Sequence, residues 1–584
     1  MLAKRHRLYI LALAMVMSLL GSLMVTGVSA ASPRHVPAAT HGRYIVRVTP
    51  SANITGVRLT ARLAGAKVVG QLAHSGILVV TGSRAAAAAL ARANGVAAVV
   101  PDRIERIVPS EWSGDHKRSK PHGDGGDSHH KPAVAPDPAF QLPGLMWDFG
   151  RIDAQRAWRT TTGRPSVLVG VADTGLDYTH SELASKVVDN VDLTDKTLCT
   201  TYFGQSDADL AATYHGPADT DWNGHGSWIG GDIAGALDGV GINGIASGVG
   251  LVALKIAEWC GYAYDSSILA AFQYAADHGI DVVSISFGGY LDRSDPDQEA
   301  LYQMYIDTVA YARSKGTVIV AAAGNEHLRI GYGGQVISHG PLTIPGDPFQ
   351  DYFGLYETPG GIPGVVDVSA TGNVVMGSSA TCAAGTFESS DATCKPATDA
   401  HQPTGVGRQN QLTYYSNYGP RIDVAAPGGA REFNLPNADR GGTGGWPYTT
   451  ADGTKAFETF SITSNWATEI PCFVNLGPQF YPDECYSTIQ GTSMATPHAS
   501  AVVALIASAH PRLAHHASLL ISFLKWTSEH IHGNTTPGLS ATDTSVGDRT
   551  GLACTTGYCH LGGPAISDRE AYGAGLVDAA DAVR

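Results

Sequence analysis

The chain has 584 residues, and its 53 acidic and 39 basic side chains give a formal net charge of −14. This length exceeds one minimal domain and predicts more than one folded unit. The acidic balance excludes nucleic acid as a partner, because binding to phosphates requires an excess of cationic side chains. The charge suits an exported protein and does not indicate a substrate.

The first thirty residues predict a secretory signal peptide at 1–30. Basic residues open the chain, an apolar run follows at 8–25, and small residues precede an expected cleavage after Ala30. An uncleaved anchor is the alternative, since the apolar run approaches the length that spans a bilayer. The small residues favour cleavage, and no later segment is apolar enough to span a membrane. We therefore expect a secreted, extracellular protein with no membrane contact after signal cleavage.

Residues 42–108 predict a separate small unit of mixed α and β structure. The pattern predicts strands at 43–48, 76–80 and 96–102 and helices at 54–64 and 85–93. A lone binding domain is one interpretation of this alternation. The following residues, 109–136, are poor in apolar side chains and rich in Gly, Pro and charge, which predicts a flexible linker. Histidines in this linker could bind a metal, but a solvated tether is the favoured interpretation.

The first motif with chemical content ends a predicted strand. The Val-rich run 166–172 is typical of a strand buried on both faces, and Asp173 follows it in the pattern D-T-G-x-D-x-x-H. Ligands of open α/β sheets bind at the carboxyl ends of strands, which is where this carboxylate lies. An isolated D-T-G is often only a turn.

Two further motifs predict a base and an amide donor. His225 begins a run with small and apolar residues at helical spacing, and glycines on both sides leave its imidazole uncovered for proton transfer. Asn325 follows another buried strand and two small residues. An amide N–H beside a developing oxyanion is worth roughly 10²–10³ in rate. Either motif alone could be structural.

The fourth motif is G-T-S-M-A-T-P-H at 491–498, which places Ser493 at the start of a helix among small residues. A serine hydroxyl needs a base to become a nucleophile, and serine alone is a common helix N-cap. The four motifs occur in the order Asp, His, Asn, Ser, and subtilisin has this order of triad residues. Pro497 is expected in the first helical turn, where a missing N–H costs little.

With these motifs, residues 137–584 resemble the subtilisin-like serine proteases. The resemblance implies an α/β fold, a doubly wound parallel sheet with helices on both faces. It also implies that Asp173, His225 and Ser493 form a catalytic triad and that Asn325 is the amide of the oxyanion hole. No cofactor is then required for the chemistry. Structural calcium is possible in this family, although no acidic loop matches a calcium site, and no metal ligand is assigned.

The resemblance extends to the substrate groove, where protein or peptide substrates are expected. The run 282–289 resembles the strand that pairs with an extended substrate backbone. The predicted substrate-binding residues are Ser286, Phe287, Gly288, Ala323 and Gly324. Glu326 could favour basic side chains in the adjoining pocket, but a solvated loop carboxylate is the favoured interpretation.

The chain departs from the family pattern in two respects. The base motif reads H-G-S-W where the family usually has H-G-T-H, so Trp228 changes the packing beside the base. The spacing between motifs predicts insertions at 185–222, 327–360, 372–412 and 430–488. Their Gly, Pro, Asn and Tyr content is typical of surface loops.

By the same resemblance, residues 31–108 are predicted to be a ferredoxin-like α+β propeptide that assists folding and inhibits the enzyme until it is removed. The mature enzyme would begin between Glu105 and Asp137. The resulting hypothesis is a secreted serine endopeptidase that processes its own propeptide. The alternatives are a specific processing peptidase and a catalytically silent relative that binds peptides or polysaccharide.

All eight cysteines lie after residue 198, which suits disulfides in an exported protein. Sequence alone does not fix their connectivity. The simplest pairing joins neighbours: Cys199 with Cys260, Cys382 with Cys394, Cys472 with Cys485, and Cys554 with Cys559. None of these spacings is typical of a zinc site.

Overall fold

The computed structural model describes residues 41–107, 111–112, 135–141, 145–339, 351–372, 410–413, 415–429, 448–449, 455–456, 462–468, 484–534, 536, 538 and 564–584. The predicted signal peptide and most of the predicted linker lie outside the described residues. So do five of the predicted disulfide cysteines: Cys382, Cys394, Cys472, Cys554 and Cys559.

The elements alternate between strands and helices through most of the chain. In chain order the strands are β1 (His41–Val48), β2 (Lys67–Leu72), β3 (Ile77–Ser83), β4 (Val96–Pro101), β5 (Ile104–Ile107), β6 (Glu111–Trp112), β7 (Leu168–Asp173), β8 (Val187–Asp192), β9 (Gly250–Lys255), β10 (Tyr262–Tyr264), β11 (Val282–Ile285), β12 (Phe287–Leu291), β13 (Val318–Ala322), β14 (Tyr356–Thr358), β15 (Val366–Thr371), β16 (Val424–Pro427), β17 (Tyr448–Thr449), β18 (Lys455–Ala456), β19 (Ile462–Trp466) and β20 (Cys485–Gln490). The helices are α1 (Ile54–Leu63), α2 (Arg84–Ala91), α3 (Trp147–Arg151), α4 (Ala154–Ala157), α5 (Ser181–Ala184), α6 (Leu198–Phe203), α7 (Asp207–Tyr214), α8 (His225–Ala234), α9 (Asp265–Asp277), α10 (Pro296–Ser314), α11 (Thr492–Ala509), α12 (Ala517–Thr527), α13 (Asp568–Tyr572) and α14 (Ala579–Ala582).

Residues 41–107 are called here the N-terminal unit. Its antiparallel sheet has the order β2-β3-β1-β4, with α1 and α2 in the connections, which is the ferredoxin-like arrangement. Ser83 explains where α2 starts, because its side chain accepts a hydrogen bond from the Ala86 N–H. Sequence reasoning missed β2, a short strand whose pairing shifts register beside Gly70.

The larger unit is built on a parallel sheet of seven strands in the order β16-β15-β13-β11-β7-β9-β8. Successive side chains of a strand point to opposite faces. Val282 accordingly joins the apolar cluster that contains α8 and α11, whereas Val283 joins the cluster that contains α9 and α10. The predicted doubly wound sheet with helices on both faces is confirmed.

The N-terminal unit packs against the α9 and α10 side of this sheet. Ile45, Ile77 and Val100 belong to the same apolar cluster as Phe272 and Tyr305. Beyond this contact, β5 runs antiparallel between β10 and β12, and β6 pairs with β20. The two residues of β6 fall within the predicted linker, where the sequence predicts no strand. Among the described helices, none is long and apolar enough to cross a membrane.

Two of the predicted disulfide positions are joined in the structure. Cys199 at the start of α6 is bonded to Cys260, with the two Cα atoms 5.7 Å apart. Cys485 is also disulfide-bonded. Its predicted partner, Cys472, lies outside the described residues.

Candidate active site

Asp173 and His225 form a buried pair at the carboxyl edge of the sheet. Asp173 ends β7, and its Oδ1 lies 2.8 Å from His225 Nδ1. The Thr174 N–H also donates to this oxygen at 2.8 Å, so the carboxylate is held in place. His225 is only 2% exposed, and its Nε2 has no hydrogen-bond partner among the described residues. The pair therefore presents one unoccupied imidazole nitrogen.

Asp221 organises the turn that leads into α8, and sequence reasoning missed it. Its Oδ1 accepts hydrogen bonds from the N–H groups of Asn223 and Gly224, each at 2.9 Å. Its Oδ2 accepts from the Ser227 N–H at 2.8 Å and hydroxyl at 2.7 Å. An Asp shortly before an Asn-Gly pair is a turn signal that could have identified it. This network fixes the position of His225.

Gly226 and Trp228 show how closely the residues after the base are packed. A Cβ at Gly226 would lie 2.0 Å from the Gly175 carbonyl oxygen, so only glycine fits there. Trp228, the residue that departs from the family pattern, is fully buried. Its indole N–H donates to the Ser487 carbonyl at 3.1 Å. The departure therefore fills the core behind the base and leaves the imidazole in place.

Asn325 and Ser493 present two donors to one small volume. Asn325 Oδ1 accepts from the Thr492 N–H at 3.0 Å and hydroxyl at 2.8 Å, which fixes the orientation of the amide. A Cβ placed at Gly491 would lie 3.3 Å from Asn325 Nδ2 and 3.6 Å from the Ser493 backbone nitrogen. The two nitrogens thus both lie close to Gly491. Two neighbouring donors are what an oxyanion hole requires.

The structure corrects the expected position of Pro497, which lies inside α11 and beyond its first turn. Because proline has no N–H, it cannot bond to the Ser493 carbonyl four residues earlier. The hydroxyl of Ser286 donates to that carbonyl instead, at 3.1 Å. Ser286 was predicted as a substrate-binding residue, and its side chain here anchors the start of the helix that carries Ser493.

A buried histidine connects the helix of Ser493 to the helix of His225. His498 lies on α11, with Nε2 3.0 Å from Asp148 and Nδ1 3.2 Å from Asp232, a residue of α8. All three side chains are fully buried. Burial alone would lower the pKa of His498, but the Asp232 and Asp148 carboxylates raise it to about 9. Burial raises the pKa of Asp232 to about 8, although the charge of His498 opposes this shift. No sequence pattern singles out this cluster.

The predicted substrate strand is paired with an extended backbone. In β12, Phe287 pairs with Ile107 and Gly288 with Arg106, both from the N-terminal unit. The Ile107 N–H also donates to the Gly261 carbonyl at 2.9 Å on the opposite side. The β5 strand thus lies in the groove between β10 and β12 and is paired along both of its edges.

The pocket wall predicted at Ala323 and Gly324 is more crowded than expected. A Cβ at Gly324 would lie 2.4 Å from Asn417 Nδ2, which also donates to the Ala323 carbonyl at 2.5 Å. Glu326 is not a freely solvated loop carboxylate. It is half-buried and accepts a hydrogen bond of 2.8 Å from the Tyr290 hydroxyl.

A cluster of carboxylates lies away from the triad, with one oxygen from each of Asp137, Glu182 and Asp238 within 4.8 Å of the others. Burial raises the pKa of Glu182 to about 9 and that of Asp137 to about 6. Asp137 Oδ2 and Glu182 Oε2 are buried without a hydrogen-bond partner among the described residues. Orphaned, hard oxygen ligands of this kind fit a Ca²⁺ ion. Sequence reasoning missed the cluster because its members come from three separate segments.

A parallel α/β sheet with a paired Asp and His at its carboxyl edge, and a serine beside an amide donor, has the arrangement of a serine peptidase. Comparison with known proteins agrees. The model of the subtilase family matches residues 164–549, a range that includes all four motif residues. The chain therefore belongs to the subtilase family, and it is a subtilisin-like serine peptidase.

Individual relatives show the extent of the similarity. The chain is 25% identical to thermitase from Thermoactinomyces vulgaris over 61% of this chain and 80% of thermitase. It is 32% identical to subtilisin DY from Bacillus licheniformis, but over only 27% of this chain and 47% of that protein.

Two solved structures have a similar fold. Fervidolysin from Fervidobacterium pennivorans, a keratinolytic enzyme related to subtilisin, has a TM-score of 0.54 at 19% identity, covering 94% of this chain and 62% of its own. The epidermin leader peptide processing serine protease of Staphylococcus aureus has a TM-score of 0.56 at 16% identity, covering 93% of this chain and 98% of its own.

Proposed function

We propose that the chain is a secreted endopeptidase that works through a triad of Asp173, His225 and Ser493. The observation that carries the proposal is the Asp173–His225 hydrogen bond of 2.8 Å, which leaves His225 Nε2 without a partner among the described residues. This nitrogen accepts the Ser493 proton as the hydroxyl attacks a peptide carbonyl. Asp173 holds the imidazole in the tautomer that keeps Nε2 unprotonated.

The attack forms a tetrahedral intermediate with a negative oxygen. The Asn325 amide and the Ser493 N–H are proposed to stabilise this oxygen, and their proximity to Gly491 supports this. The N-terminal end of α11 adds its positive dipole at the same place. His225 then protonates the leaving amine, and the resulting acyl-enzyme on Ser493 is hydrolysed by water.

The N-terminal unit is proposed to be an inhibitory propeptide that this enzyme cleaves itself. Ile107 is paired with Phe287 on the substrate strand, and Glu111 is paired with Gln490, shortly before Ser493. The described backbone before and after residues 108–110 is thus paired with β12 and with β20, the strand that precedes Ser493. The maturation cleavage is therefore proposed between Ile107 and Glu111, inside the interval expected from the sequence.

Secretion is proposed from the predicted signal peptide at 1–30 and is supported by the disulfide between Cys199 and Cys260. A Ca²⁺ ion is proposed at Asp137, Glu182 and Asp238, where it would tie separate segments together without taking part in the chemistry. Calcium should raise the melting temperature, and Glu182→Gln should remove most of that gain.

The proposal is tested by expressing the full chain with Ser493→Ala and, as a control, with Asp581→Asn. The Asp581 carboxylate lies on α14, is 44% exposed and pairs with Arg156 and Arg584 at the surface. Exposed ion pairs of this kind contribute little to stability, so the control variant should fold normally.

The Ser493→Ala precursor should remain uncleaved and should not digest casein, whereas the Asp581→Asn protein should mature and digest casein normally. Maturation and casein digestion by purified Ser493→Ala protein would contradict the assignment. A stable wild-type protein that digests nothing would favour the catalytically silent alternative.

A further inference from the structure

The groove between β10 and β12 holds β5 as an occupant, and one occupant side chain is buried. Glu105 pairs with Ala263 of β10, next to Arg106, which pairs with Gly288 of β12. The Glu105 side chain points into the catalytic unit and is only 5% exposed. Its environment shows what kind of side chain this part of the groove accepts.

The Glu105 subsite is defined here by Asp265, Gly289 and Tyr305. A Cβ at Gly289 would lie 2.0 Å from Glu105 Oε2, so the glycine leaves the space that this side chain fills. Asp265 is fully buried, and its Oδ1 accepts a hydrogen bond of 2.5 Å from the Tyr305 hydroxyl. The Asp265 N–H donates to the Arg103 carbonyl at 3.0 Å, which places this residue directly beside β5. The subsite therefore contains a carboxyl of the enzyme.

Each of the two carboxyl groups has one oxygen that makes no hydrogen bond within the described part of the chain. Glu105 Oε1 and Asp265 Oδ2 are both buried without a hydrogen-bond partner among the described residues. Burial, and then the charge of Glu105, raise the pKa of Asp265 well above its usual value. Burial likewise raises the pKa of Glu105. The occupant thus places an acid beside a buried acid of the enzyme.

The cation nearest to the pair belongs to the occupant. Arg103 lies 3.9 Å from Glu105 Oε1, and its charge favours the ionised form of both carboxyl groups. Arg103 is part of the N-terminal unit and departs with it. A buried carboxylate left without a cation is costly, whereas a charge-assisted hydrogen bond to Lys or Arg would satisfy it.

We propose that Asp265 makes the Glu105 subsite selective for a lysine or arginine side chain in peptide substrates. The inference rests on the proposed endopeptidase function and names its substrate class. Tyr305 holds one oxygen of Asp265, and the other oxygen is directed to the substrate cation. By placing an acid in this subsite, the N-terminal unit binds less tightly than a basic occupant would, and this favours its release.

The first experiment digests a proteome-derived peptide library with the mature enzyme and maps the cleaved bonds by mass spectrometry. If cleavage of the precursor occurs between Ile107 and Glu111, the Glu105 subsite receives a residue that lies third to sixth before the cleaved bond. Lys and Arg should be enriched about tenfold at one of these positions, the size of effect for one charge-assisted hydrogen bond.

The matched variants are Asp265→Asn and the surface control Asp581→Asn. Asp265→Asn should lose the enrichment among the bonds that it still cleaves, and Asp581→Asn should keep it. Cleavage without any basic enrichment, or enrichment that persists in Asp265→Asn, would overturn the inference and leave the proposed function intact. An absence of cleavage by the wild-type enzyme would overturn both the inference and the proposed function.

The second experiment uses the full chain with Glu105→Lys or Glu105→Gln and follows the lag before peptidase activity appears. The lag should be about tenfold longer with Glu105→Lys than with Glu105→Gln, because only the lysine supplies a cation to Asp265. Equal lags, or a shorter lag with Glu105→Lys, would contradict the inference. The library digestion does not depend on the folding of these variants.

Discussion

The catalytic interior and the groove that receives β5 treat buried charge differently. In the interior, Asp173 is paired with His225, and His498 has two carboxylates within 3.2 Å, all supplied by the catalytic unit itself. In the groove, the cation that acts on Asp265 is Arg103, which belongs to the N-terminal unit and departs with it. The difference indicates that charges which hold the catalytic residues are balanced internally, whereas a charge that contacts a transient occupant is left for the occupant to balance.

The largest effect is expected for the buried carboxylate–imidazole pair, because this pair takes part in the reaction. Replacing Asp173 by Asn removes the carboxylate that sets the tautomer of His225. It should lower kcat about 10⁴-fold with little change in KM, the size of effect known for such a substitution in a serine peptidase. The variant precursor is cleaved in trans by immobilised wild-type enzyme, and steady-state kinetics of the purified product measure this effect, with Asp581→Asn as the control. A loss smaller than about tenfold would show that the pair does not act in catalysis.

The next effect concerns stability. His498→Gln leaves Asp148 and Asp232 buried without their cation and should lower the free energy of unfolding by about 3–5 kcal/mol. The pKa of His498 in the folded protein is about 9, above the ~6.5 of an unfolded chain. Its stabilisation is therefore complete below about pH 6.5 and is lost as pH rises through about 9.

Urea titrations of the uncleaved Ser493→Ala precursor, with and without His498→Gln, measure both parts of this prediction. The parent should lose stability between about pH 6.5 and 9 as His498 is deprotonated. The loss should be smaller in the His498→Gln protein, where it comes from Asp232, whose pKa is raised by burial to about 8. Parallel pH profiles would show that the charge of His498 does not stabilise the two helices.

A smaller catalytic effect is expected at the oxyanion donor. Asn325→Ala removes the side-chain amide and leaves the Ser493 N–H, so kcat should fall roughly 10²–10³-fold while KM changes little. The variant should also lose about 1–3 kcal/mol of stability, since the buried N–H and hydroxyl of Thr492 both lose their acceptor. An unchanged kcat would show that the Asn325 amide does not stabilise the oxyanion.

The smallest expected effect lies at the interface with the N-terminal unit. Asp102 accepts hydrogen bonds from the Ser266 N–H at 3.0 Å and from Arg43 at 2.7 Å. Asp102→Ala should weaken docking by about 1.5–3 kcal/mol and shorten the activation lag accordingly. Arg47→Ala, which removes an exposed pair with Asp307, should cost only about 0.2–1 kcal/mol. Equal effects of the two variants would show that burial of an ion pair does not strengthen the docking of the N-terminal unit.

The sequence predicted the sheet and the motif residues because both depend on local patterns. Val-rich runs ending in Asp173 or Asn325 identify buried strands and their carboxyl ends. The structure brings the predicted partners together as two pairs, Asp173 with His225 and Asn325 with Ser493. The doubly wound arrangement followed from the family resemblance, which the fold confirms. The catalytic roles stay predictions until the kinetic tests are made.

The features that the sequence did not predict depend on residues distant in the chain. Asp265 and Tyr305 meet Glu105 only through packing of separate elements, and no local pattern marks them. Pro497 was misplaced because the hydroxyl that replaces its missing hydrogen bond comes from Ser286, in a distant part of the chain. A single sequence contains no signal for such pairings.

The central claim is that Ser493 is the nucleophile activated by the Asp173–His225 pair. The most direct test treats mature enzyme with a fluorophosphonate and locates the adduct by peptide mass spectrometry. The account predicts one phosphonyl group on Ser493, with rates of labelling and hydrolysis that fall together in Asp173→Asn. Labelling at another residue, or continued peptide hydrolysis by protein fully labelled on Ser493, would contradict it.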